Sequence, residues 1–381
     1  MIRVLVADDS AFMRKVLSDL FKAQPDFEFL GTAVNGKDAV EKVLRLKPDL
    51  LTMDVNMPVM DGLQALEVIM KECPLPVVMF SSLTKEGADA TIKALSLGAI
   101  DFISKTGGSI SRIDTIEPDI LAKCRAAAGA NVRQKPAANP AAAPEKPKPP
   151  VMHHIEVPQR KALPLHHETT QLSLRTKPVI KVVPSYSSSG GHSGKFVVLG
   201  TSTGGPKALQ TVVAGLPRKL PCGVLIVQHM PPGFTKSLAE RLNEISEISV
   251  KEAENHDIIE AGHVYIAPGN YHMVVERSGY GREILLNQDP PLGTLRPAAD
   301  VLFKSAAQFG RDVVSVILTG MGSDGAAGMQ KIKQAGGYII AEAESTAIVY
   351  GMPRAVVELG IADEVLPLPS IASAIVSAVR K

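Results

Sequence analysis

The chain has 381 residues, of which 45% are hydrophobic, with a formal net charge of +2 and three cysteines in no CxxC pair. This length predicts two domains of ordinary size, and the charge and cysteines argue against a nucleic-acid partner, a disulfide framework and a zinc site. Because no apolar run approaches the roughly 18 residues that span a bilayer and the N-terminus does not resemble a signal peptide, we expect a cytoplasmic protein without direct membrane insertion.

Residues 1–127 alternate short apolar runs with longer stretches of helical periodicity. The predicted strands are Ile2–Ala7, Glu28–Ala33, Leu50–Met53, Val77–Phe80 and Asp101–Ile103. A helical stretch follows each of them, and the connections are short. Five such β/α repeats are typical of a parallel, doubly wound sheet. We therefore predict a flavodoxin-like α/β domain over residues 1–127.

Residues 128–193 are rich in Pro, Ala, Lys and Ser and show little periodicity. Such a segment cannot bury enough apolar surface to offset the entropy of ordering it. We therefore predict a Pro-rich linker between two domains. Five of the nine histidines lie in this segment, and we interpret them as solvated because no predicted fold fixes their geometry for a metal.

The α/β alternation resumes after the linker, over residues 194–381. The predicted strands are Phe196–Leu199, Val224–Gln228, Val313–Leu318 and Tyr338–Ala341. Two apolar runs on either side of Pro268-Gly269-Asn270 indicate a β-hairpin at that point. We therefore expect a second doubly wound, parallel-sheet domain, Rossmann-like and with an added β-hairpin.

Charged residues stand at the predicted strand ends of the first domain: Asp8 and Asp9 after the first strand, Asp54 at the third and Lys105 after the fifth. Because the carboxyl ends of parallel strands share one edge, we expect these side chains to meet. Three clustered carboxylates repel one another and need a cation, and oxygen ligands suit Mg²⁺. Together, Mg²⁺ and Lys105 would neutralise a phosphoryl group that the Asp54 carboxylate attacks.

Two further residues fit a phosphorylation switch. Ser81 ends the fourth strand, where its hydroxyl can hydrogen-bond a phosphate on Asp54, and Phe102 can move as an aromatic reporter of the change. Met57-Pro58 and Asp61-Gly62 follow the third strand. With this combination of residues at strand ends, residues 1–125 resemble the receiver domain of bacterial response regulators.

The resemblance to receivers implies that Asp54 is the phosphorylation site and that a histidine kinase donates the phosphoryl group. It also implies that Asp9 and Asp54 bind the magnesium ion. Receivers usually carry Lys-Pro where this chain has Lys105-Thr106, so the loop after the lysine departs from the family's pattern.

The first strand of the second domain leads through Gly200-Thr201-Ser202-Thr203-Gly204 into a helix, which fits G-x-S-x-G at a strand-to-helix turn. Glycines permit a tight turn there, and the helix N-terminus supplies N–H donors and positive potential. The turn matches neither the dinucleotide-binding G-x-G-x-x-G pattern nor Walker A. The motif alone does not distinguish a nucleophilic Ser202 from a helix-capping one.

A nucleophilic serine needs a base, and the base needs a carboxylate that orients it. His229 directly follows the strand next to that of Ser202, and Asp324 lies in the Gly-rich loop after a later strand, where it is also a candidate helix cap. A second assignment, Ser202 with Asp257 and His272, follows the chain order of α/β-hydrolases. We favour His229 and Asp324 because both stand at strand ends.

Residues 195–381 resemble the catalytic domain of the chemotaxis protein-glutamate methylesterases, and the order receiver, linker, esterase is also that of this family. The segments that carry the resemblance are Gly-Thr-Ser-Thr-Gly-Gly (200–205), Gln-His-Met-Pro-Pro-Gly-Phe-Thr (228–235), Ile-Ala-Pro-Gly (266–269) and Leu-Thr-Gly-Met-Gly-Ser-Asp-Gly (318–325). The resemblance implies a catalytic triad of Ser202, His229 and Asp324 and no cofactor for the esterase. We also expect the backbone N–H groups of Thr203 and Met321 to bind the oxyanion.

The activity implied by the resemblance is hydrolysis of glutamate γ-methyl esters, and deamidation of certain glutamines, on methyl-accepting chemotaxis receptors. These substrates imply recruitment to receptor arrays at the membrane. We expect the unphosphorylated receiver to cover the esterase cleft and phosphorylation to uncover it. Two other classes are a transcriptional response regulator, disfavoured because no helix-turn-helix or basic stripe is found, and a non-catalytic adaptor with a degenerate hydrolase fold.

Overall fold

The computed structural model describes residues 1–105, 113–130, 194–279 and 281–381. Residues 131–193 of the predicted linker lie outside these ranges, and so does Thr106. Within the described ranges, no helix is both long and apolar enough to cross a membrane.

The first domain is a five-stranded parallel sheet flanked by helices. Its strands are β1 (Ile2–Ala7), β2 (Phe27–Ala33), β3 (Leu50–Asp54), β4 (Val77–Ser82) and β5 (Asp101–Lys105), and its helices are α1 (Ala11–Lys22), α2 (Gly36–Leu46), α3 (Gly62–Glu72), α4 (Lys85–Leu97) and α5 (Ile113–Ala128). The strand order is β2-β1-β3-β4-β5, and every neighbouring pair is parallel. This is the flavodoxin-like order, as predicted.

Short polar side chains start the helices soon after the strands end. Ser10 accepts a hydrogen bond from a backbone N–H at the start of α1, Asn35 does so for α2, and Asp61 forms a capping box with Gln64 on α3. Each cap satisfies a backbone donor that the helix itself leaves unpaired. The residues between each strand and the following helix therefore lie at the edge of the sheet.

The second domain contains a seven-stranded parallel sheet with the order β14-β13-β12-β6-β7-β9-β8 and a separate two-stranded hairpin, β10-β11. Its strands are β6 (Phe196–Thr201), β7 (Val224–Gln228), β8 (Ser249–Glu252), β9 (His263–Ile266), β10 (His272–Ser278), β11 (Gly281–Asn287), β12 (Val313–Ile317), β13 (Tyr338–Glu342) and β14 (Glu364–Leu366). Its helices are α6 (Gly205–Ala214), α7 (Phe234–Ile245), α8 (Ala299–Ala306), α9 (Ala326–Gln334), α10 (Met352–Glu358) and α11 (Leu368–Arg380), with a 3-10 helix over Ala307–Asp312.

Helices cover both faces of this sheet, which is why its central strands are continuous apolar runs. Every residue of β6, β7 and β12 is buried. Alternate residues of β6 point to opposite faces: Val197 packs in one core cluster with Leu209 of α6, and Val198 packs in another with Phe303 of α8. The carboxyl ends of these strands therefore form one edge, supported from both sides.

The hairpin was predicted one strand too early. The run before Pro268 forms β9, which pairs in parallel with β7 and β8, and Ala267 extends that ladder through a bond to Ile226. The antiparallel hairpin is instead formed by β10 and β11, with pairs from His272 opposite Asn287 to Ser278 opposite Gly281. The prediction failed because two adjacent apolar runs do not reveal whether they pair with each other or with more distant strands.

The receiver packs against the second domain through α4 and β5. The ring of Phe102 on β5 stacks on Phe234, the first residue of α7, with centroids 4.6 Å apart and planes at 15°. The Gln210 side-chain amide of α6 donates to the hydroxyl of Ser96 on α4 at 2.6 Å. Ile348, from the loop after β13, packs against the receiver's own apolar core. The two domains thus share a contact that is partly apolar and partly hydrogen-bonded.

Candidate active site and phosphoacceptor site

Ser202 lies in the turn that connects β6 to α6. Its backbone N–H donates to the carbonyl oxygen of Thr319 at 3.0 Å. Gly204 is the N-cap of α6, with a φ of +78° and no side-chain cap bond, so the Ser202 hydroxyl does not cap this helix. A side chain at Gly204 would also collide with Ile348, since an added Cβ would lie 2.8 Å from the Ile348 Cβ. The turn therefore needs glycine and leaves the serine hydroxyl uncommitted as a cap.

His229 lies beside Ser202 because their strands are neighbours in register. Thr201 pairs with Gln228 at the ends of β6 and β7, so the next residue of each chain segment is Ser202 and His229. The His229 backbone N–H donates to the Thr201 carbonyl oxygen at 3.2 Å. Among the described residues, no hydrogen bond joins the Ser202 hydroxyl to the imidazole, whose Nε2 lies 2.8 Å from Oδ2 of Asp324.

The Asp324 carboxylate is held by three donors. It accepts bonds from the backbone N–H groups of Ala299 at 2.6 Å and Asp300 at 3.0 Å, in the first turn of α8, and it contacts the His229 ring. Burial alone would raise the pKa of Asp324, but His229 and the two N–H groups outweigh it and lower that pKa. Asp324 does not cap the following helix α9, whose N-cap is Gly325. The carboxylate is therefore ionised and fixed in place.

The other triad assignment does not assemble. Asp257 accepts bonds from the Lys251 ammonium at 2.9 Å and the Glu254 backbone N–H at 2.8 Å. His272 is buried, with Nε2 3.3 Å from the Pro290 carbonyl oxygen. Within the described ranges no hydrogen bond joins Asp257 to His272. The geometry therefore favours His229 with Asp324.

Sequence reasoning missed Glu342, which supports the Ser202 turn through Thr319. Glu342 ends β13, is fully buried, and accepts a bond from the Thr319 backbone N–H at 2.8 Å and one from the Thr346 hydroxyl at 3.0 Å. Burial raises its pKa to about 7, although both hydrogen bonds oppose that change. The only local signal was an acidic residue closing an apolar run, the same signal that identified Asp54.

The acidic residues predicted at the receiver edge do come together. One carboxylate oxygen from each of Asp8, Asp9 and Asp54 lies within 4.8 Å of the others. The Lys105 ammonium lies 2.9 Å from Asp8 and 2.8 Å from Asp54. Burial raises the pKa of Asp54, while Lys105 opposes that rise. Three carboxylates against one ammonium form a donor set that suits a divalent, oxygen-preferring cation.

The two predicted switch residues are both buried and engaged with other groups. The Ser81 hydroxyl donates to the Gly87 carbonyl oxygen on α4 at 2.9 Å, rather than to Asp54. The Phe102 ring lies between Phe234, on which it stacks, and the ammonium of Lys123, which is 5.3 Å from the ring centroid. In this structure Ser81 is therefore hydrogen-bonded to α4, and Phe102 contacts the second domain.

An acidic cluster on a flavodoxin-like sheet, joined to a serine–histidine–aspartate edge on a second parallel sheet, defines a response-regulator hydrolase. Residues 4–115 match the response regulator receiver domain family, and residues 197–375 match the CheB methylesterase family. The chain is 49% identical to a protein-glutamate methylesterase/protein-glutamine glutaminase of Symbiobacterium thermophilum, over 99% of this chain and 97% of that protein. It is 46% identical to one of Pyrococcus abyssi, over 100% of this chain and 94% of that protein.

The chain therefore belongs to the protein-glutamate methylesterase/protein-glutamine glutaminase family. Both resemblances inferred from the sequence motifs, to receivers and to the methylesterases, are confirmed by these matches.

Replacing Glu342 with glutamine should change how stability depends on pH. The folded-state pKa of about 7 lies above the ordinary value of 4.5, so the unfolded chain ionises first and stability falls as the pH rises through this window. The loss amounts to about 3 kcal/mol at full ionisation. Urea unfolding of Glu342→Gln and the parent chain at about pH 5 and about pH 8 should show the variant gaining relative stability at the higher pH.

The matched control is Glu344→Gln, the same chemical change on an exposed side chain two residues away. Its stability relative to the parent should be nearly independent of pH across the same range. If Glu342→Gln behaved like Glu344→Gln, Glu342 would not titrate as described.

Proposed function

We propose that this chain is a phosphorylation-activated hydrolase that demethylates glutamate γ-methyl esters, and deamidates specific glutamines, on methyl-accepting chemotaxis receptors for sensory adaptation. The observation that carries the proposal is the bond between His229 and Asp324 at the sheet edge next to Ser202, in a chain of this family. Its parts are a receiver over 1–127, a linker over 128–193 and a catalytic domain over 194–381.

In the proposed reaction, Asp324 accepts a hydrogen bond from Nε2–H of His229, which leaves Nδ1 as the basic nitrogen. His229 takes the Ser202 proton while the serine oxygen attacks the ester carbonyl carbon. The tetrahedral intermediate expels methoxide, which receives that proton and leaves as methanol. Water, deprotonated by the same imidazole, then attacks the acyl-enzyme carbonyl carbon, and the imidazolium returns the proton to the departing Ser202 oxygen as the glutamate is freed. A glutamine substrate would follow the same course and release ammonia.

Two backbone N–H groups support the proposed oxyanion site. Thr203 follows the nucleophile, and Met321 lies in the loop after β12 and is 40% exposed. In the part of the chain that the structure describes, neither backbone N–H donates a hydrogen bond to the protein, so no protein acceptor competes for either of them. Each such donor typically stabilises a transition state by about 2.7–4 kcal/mol.

The acidic cluster supports phosphorylation of Asp54 by a partner histidine kinase. Asp8, Asp9 and Asp54 would hold Mg²⁺, which supplies charge neutralisation for the phosphoryl group when it is bound. Lys105 already contacts two of these carboxylates, so its ammonium is placed to bind a phosphoryl oxygen. We propose no cofactor for the esterase.

Contacts across the two domains support control of the esterase by the receiver. The Thr203 hydroxyl, beside the proposed nucleophile, donates to Asp101 of β5 at 2.6 Å, and both residues are buried. The Phe234 ring, five residues after His229, stacks on Phe102. The receiver therefore lies against both loops that carry the proposed triad serine and histidine. We propose that this arrangement is the covered, unphosphorylated state and that phosphorylation opens it.

Ser202→Ala should lower methanol release from methylated receptor membranes at least about a thousandfold, because the attacking oxygen is removed. The control is Ser373→Ala, an exposed serine of α11 whose hydroxyl bonds to the carbonyl of Ser370, and it should keep the parent rate. Substantial methanol release by Ser202→Ala would contradict the nucleophile assignment.

Asp9→Asn should weaken Mg²⁺ binding by about tenfold, which corresponds to about 1.4 kcal/mol, because one carboxylate of the cluster loses its charge. Calorimetric titration of the full chain with MgCl₂ measures this. Asp19→Asn serves as the control, since Asp19 is exposed on α1 and pairs with Lys15. Equal Mg²⁺ affinities for the two variants would argue against the proposed ligand set.

A chain that begins at Gly194 should release methanol faster than the unphosphorylated full chain, by about tenfold or more, because the receiver no longer covers the cleft. In the full chain, Asp101→Ala should produce part of this increase by removing the acceptor of Thr203. Lys15→Ala, on the exposed face of α1, should leave the rate unchanged. An equal rate for the truncated and full chains would rule out inhibition by coverage.

A further inference from the structure

Thr319 holds three consecutive residues of the turn around Ser202. Its carbonyl oxygen accepts a hydrogen bond from the Ser202 backbone N–H at 3.0 Å and another from the Thr201 hydroxyl at 2.8 Å. Its own hydroxyl donates to the Thr203 carbonyl oxygen at 2.9 Å. Thr319 is 1% exposed, so water does not replace these bonds. The position of the Thr319 peptide therefore determines where the proposed nucleophile stands.

The N–H of Thr319 is bonded to a side chain rather than to the backbone of β13. The ladder between β12 and β13 ends with Ile317 opposite Ala341, so Thr319 lies beyond the last backbone pair. Its N–H is satisfied by a carboxylate oxygen of Glu342 at 2.8 Å. Glu342 is the residue after Ala341, and its side chain thus supplies the acceptor that a longer ladder between β12 and β13 would have provided.

The loop that carries Met321 begins directly after Thr319. The backbone N–H of Gly320 donates to the Val349 carbonyl oxygen at 3.0 Å, and its own carbonyl oxygen accepts from Met352 at 2.9 Å. A Cβ added to Gly320 would lie 2.9 Å from the Cβ of Ser202. The Gly320 backbone therefore lies against the Ser202 side chain, and Thr319 is joined to both, to Gly320 by the chain and to Ser202 by a hydrogen bond.

We propose that Glu342 is a positioning residue for the reaction: by fixing the Thr319 peptide, its carboxylate aligns Ser202 with the donors of the loop after β12. The proposal rests on the proposed role of Ser202 as nucleophile. Glu342 itself is fully buried and makes its contacts with Thr319 and Thr346, so it acts through Thr319 and not on the substrate. What matters is the reach of its acceptor oxygen to the Thr319 N–H.

Reach and charge can be separated with two substitutions in the full chain. Glu342→Gln keeps the length of the side chain and an acceptor oxygen but lacks the charge, whereas Glu342→Asp keeps the charge and withdraws the oxygen by one methylene. With saturating acetyl phosphate and Mg²⁺, kcat for methanol release from methylated receptor membranes should stay within about threefold of the parent for Gln. For Asp it should fall at least about tenfold with little change in KM.

Thr346→Val is the matched control, because it removes the other partner of the same carboxylate and leaves the bond to Thr319. It should lower the unfolding midpoint while keeping kcat. If the role of Glu342 is purely structural, Glu342→Asp, Glu342→Gln and Thr346→Val should all change stability and leave kcat per folded molecule unchanged. The rate constant for labelling by a fluorophosphonate reports the nucleophile in folded molecules, and the labelled fraction reports how many are folded.

The outcomes separate this inference from the proposed function. If Ser202→Ala is inactive and Glu342→Asp keeps the parent kcat and labelling rate constant, the positioning role is wrong and the nucleophile assignment stands. A loss of kcat in Glu342→Gln equal to that in Glu342→Asp would also overturn it, since charge and not reach would then decide. If Ser202→Ala keeps its activity, both proposals fail together.

Discussion

The clamp on Asp324 is the interaction on which the rest of the candidate active site depends. Its carboxylate accepts hydrogen bonds from two backbone N–H groups in the first turn of α8 and contacts the His229 ring. A helix N-terminus stabilises negative charge, so the ionised form is favoured although the residue is largely buried. An ionised, immobile carboxylate fixes both the tautomer and the orientation of the imidazole. Without it, neither the basic nitrogen nor its direction toward Ser202 would be defined.

The parallel sheet brings these groups to one place, but it does not finish the site. Register puts Ser202 beside His229, whereas Thr319 and Glu342 lie just beyond the last pair of the ladder between β12 and β13. There the backbone ladder is replaced by side-chain bonds, such as the one from Thr319 to Glu342. Such bonds fix the conformation of loops at a strand edge. Forming them costs side-chain conformational entropy, so we expect them where a site requires a fixed geometry.

The sequence predicted most of the strands but not the contacts that fix the loop around Ser202, and the reason is physical. Ser202, His229 and Asp324 were proposed because each lies at or shortly after the end of an apolar run, and the ends of parallel strands converge. Glu342 gave the same signal, yet its partner Thr319 is 23 residues away and is an ordinary threonine. Strand pairing was harder still: β9 was assigned to a hairpin because local apolar pattern cannot tell a parallel partner from an antiparallel one. Long-range partners, and not local propensity, decided each of these cases.

The strand β5 links the two halves of the molecule within five residues. At its carboxyl end, Lys105 contacts Asp8 and Asp54. At its other end, Asp101 accepts the bond from Thr203, and the next residue, Phe102, stacks on Phe234. β5 is the edge strand of its sheet and pairs only with β4, so a displacement of Lys105 by a phosphoryl group could be passed along it to Asp101 and Phe102. The contacts beside Ser202 and His229 are thus the nearest places where such a displacement can be relieved.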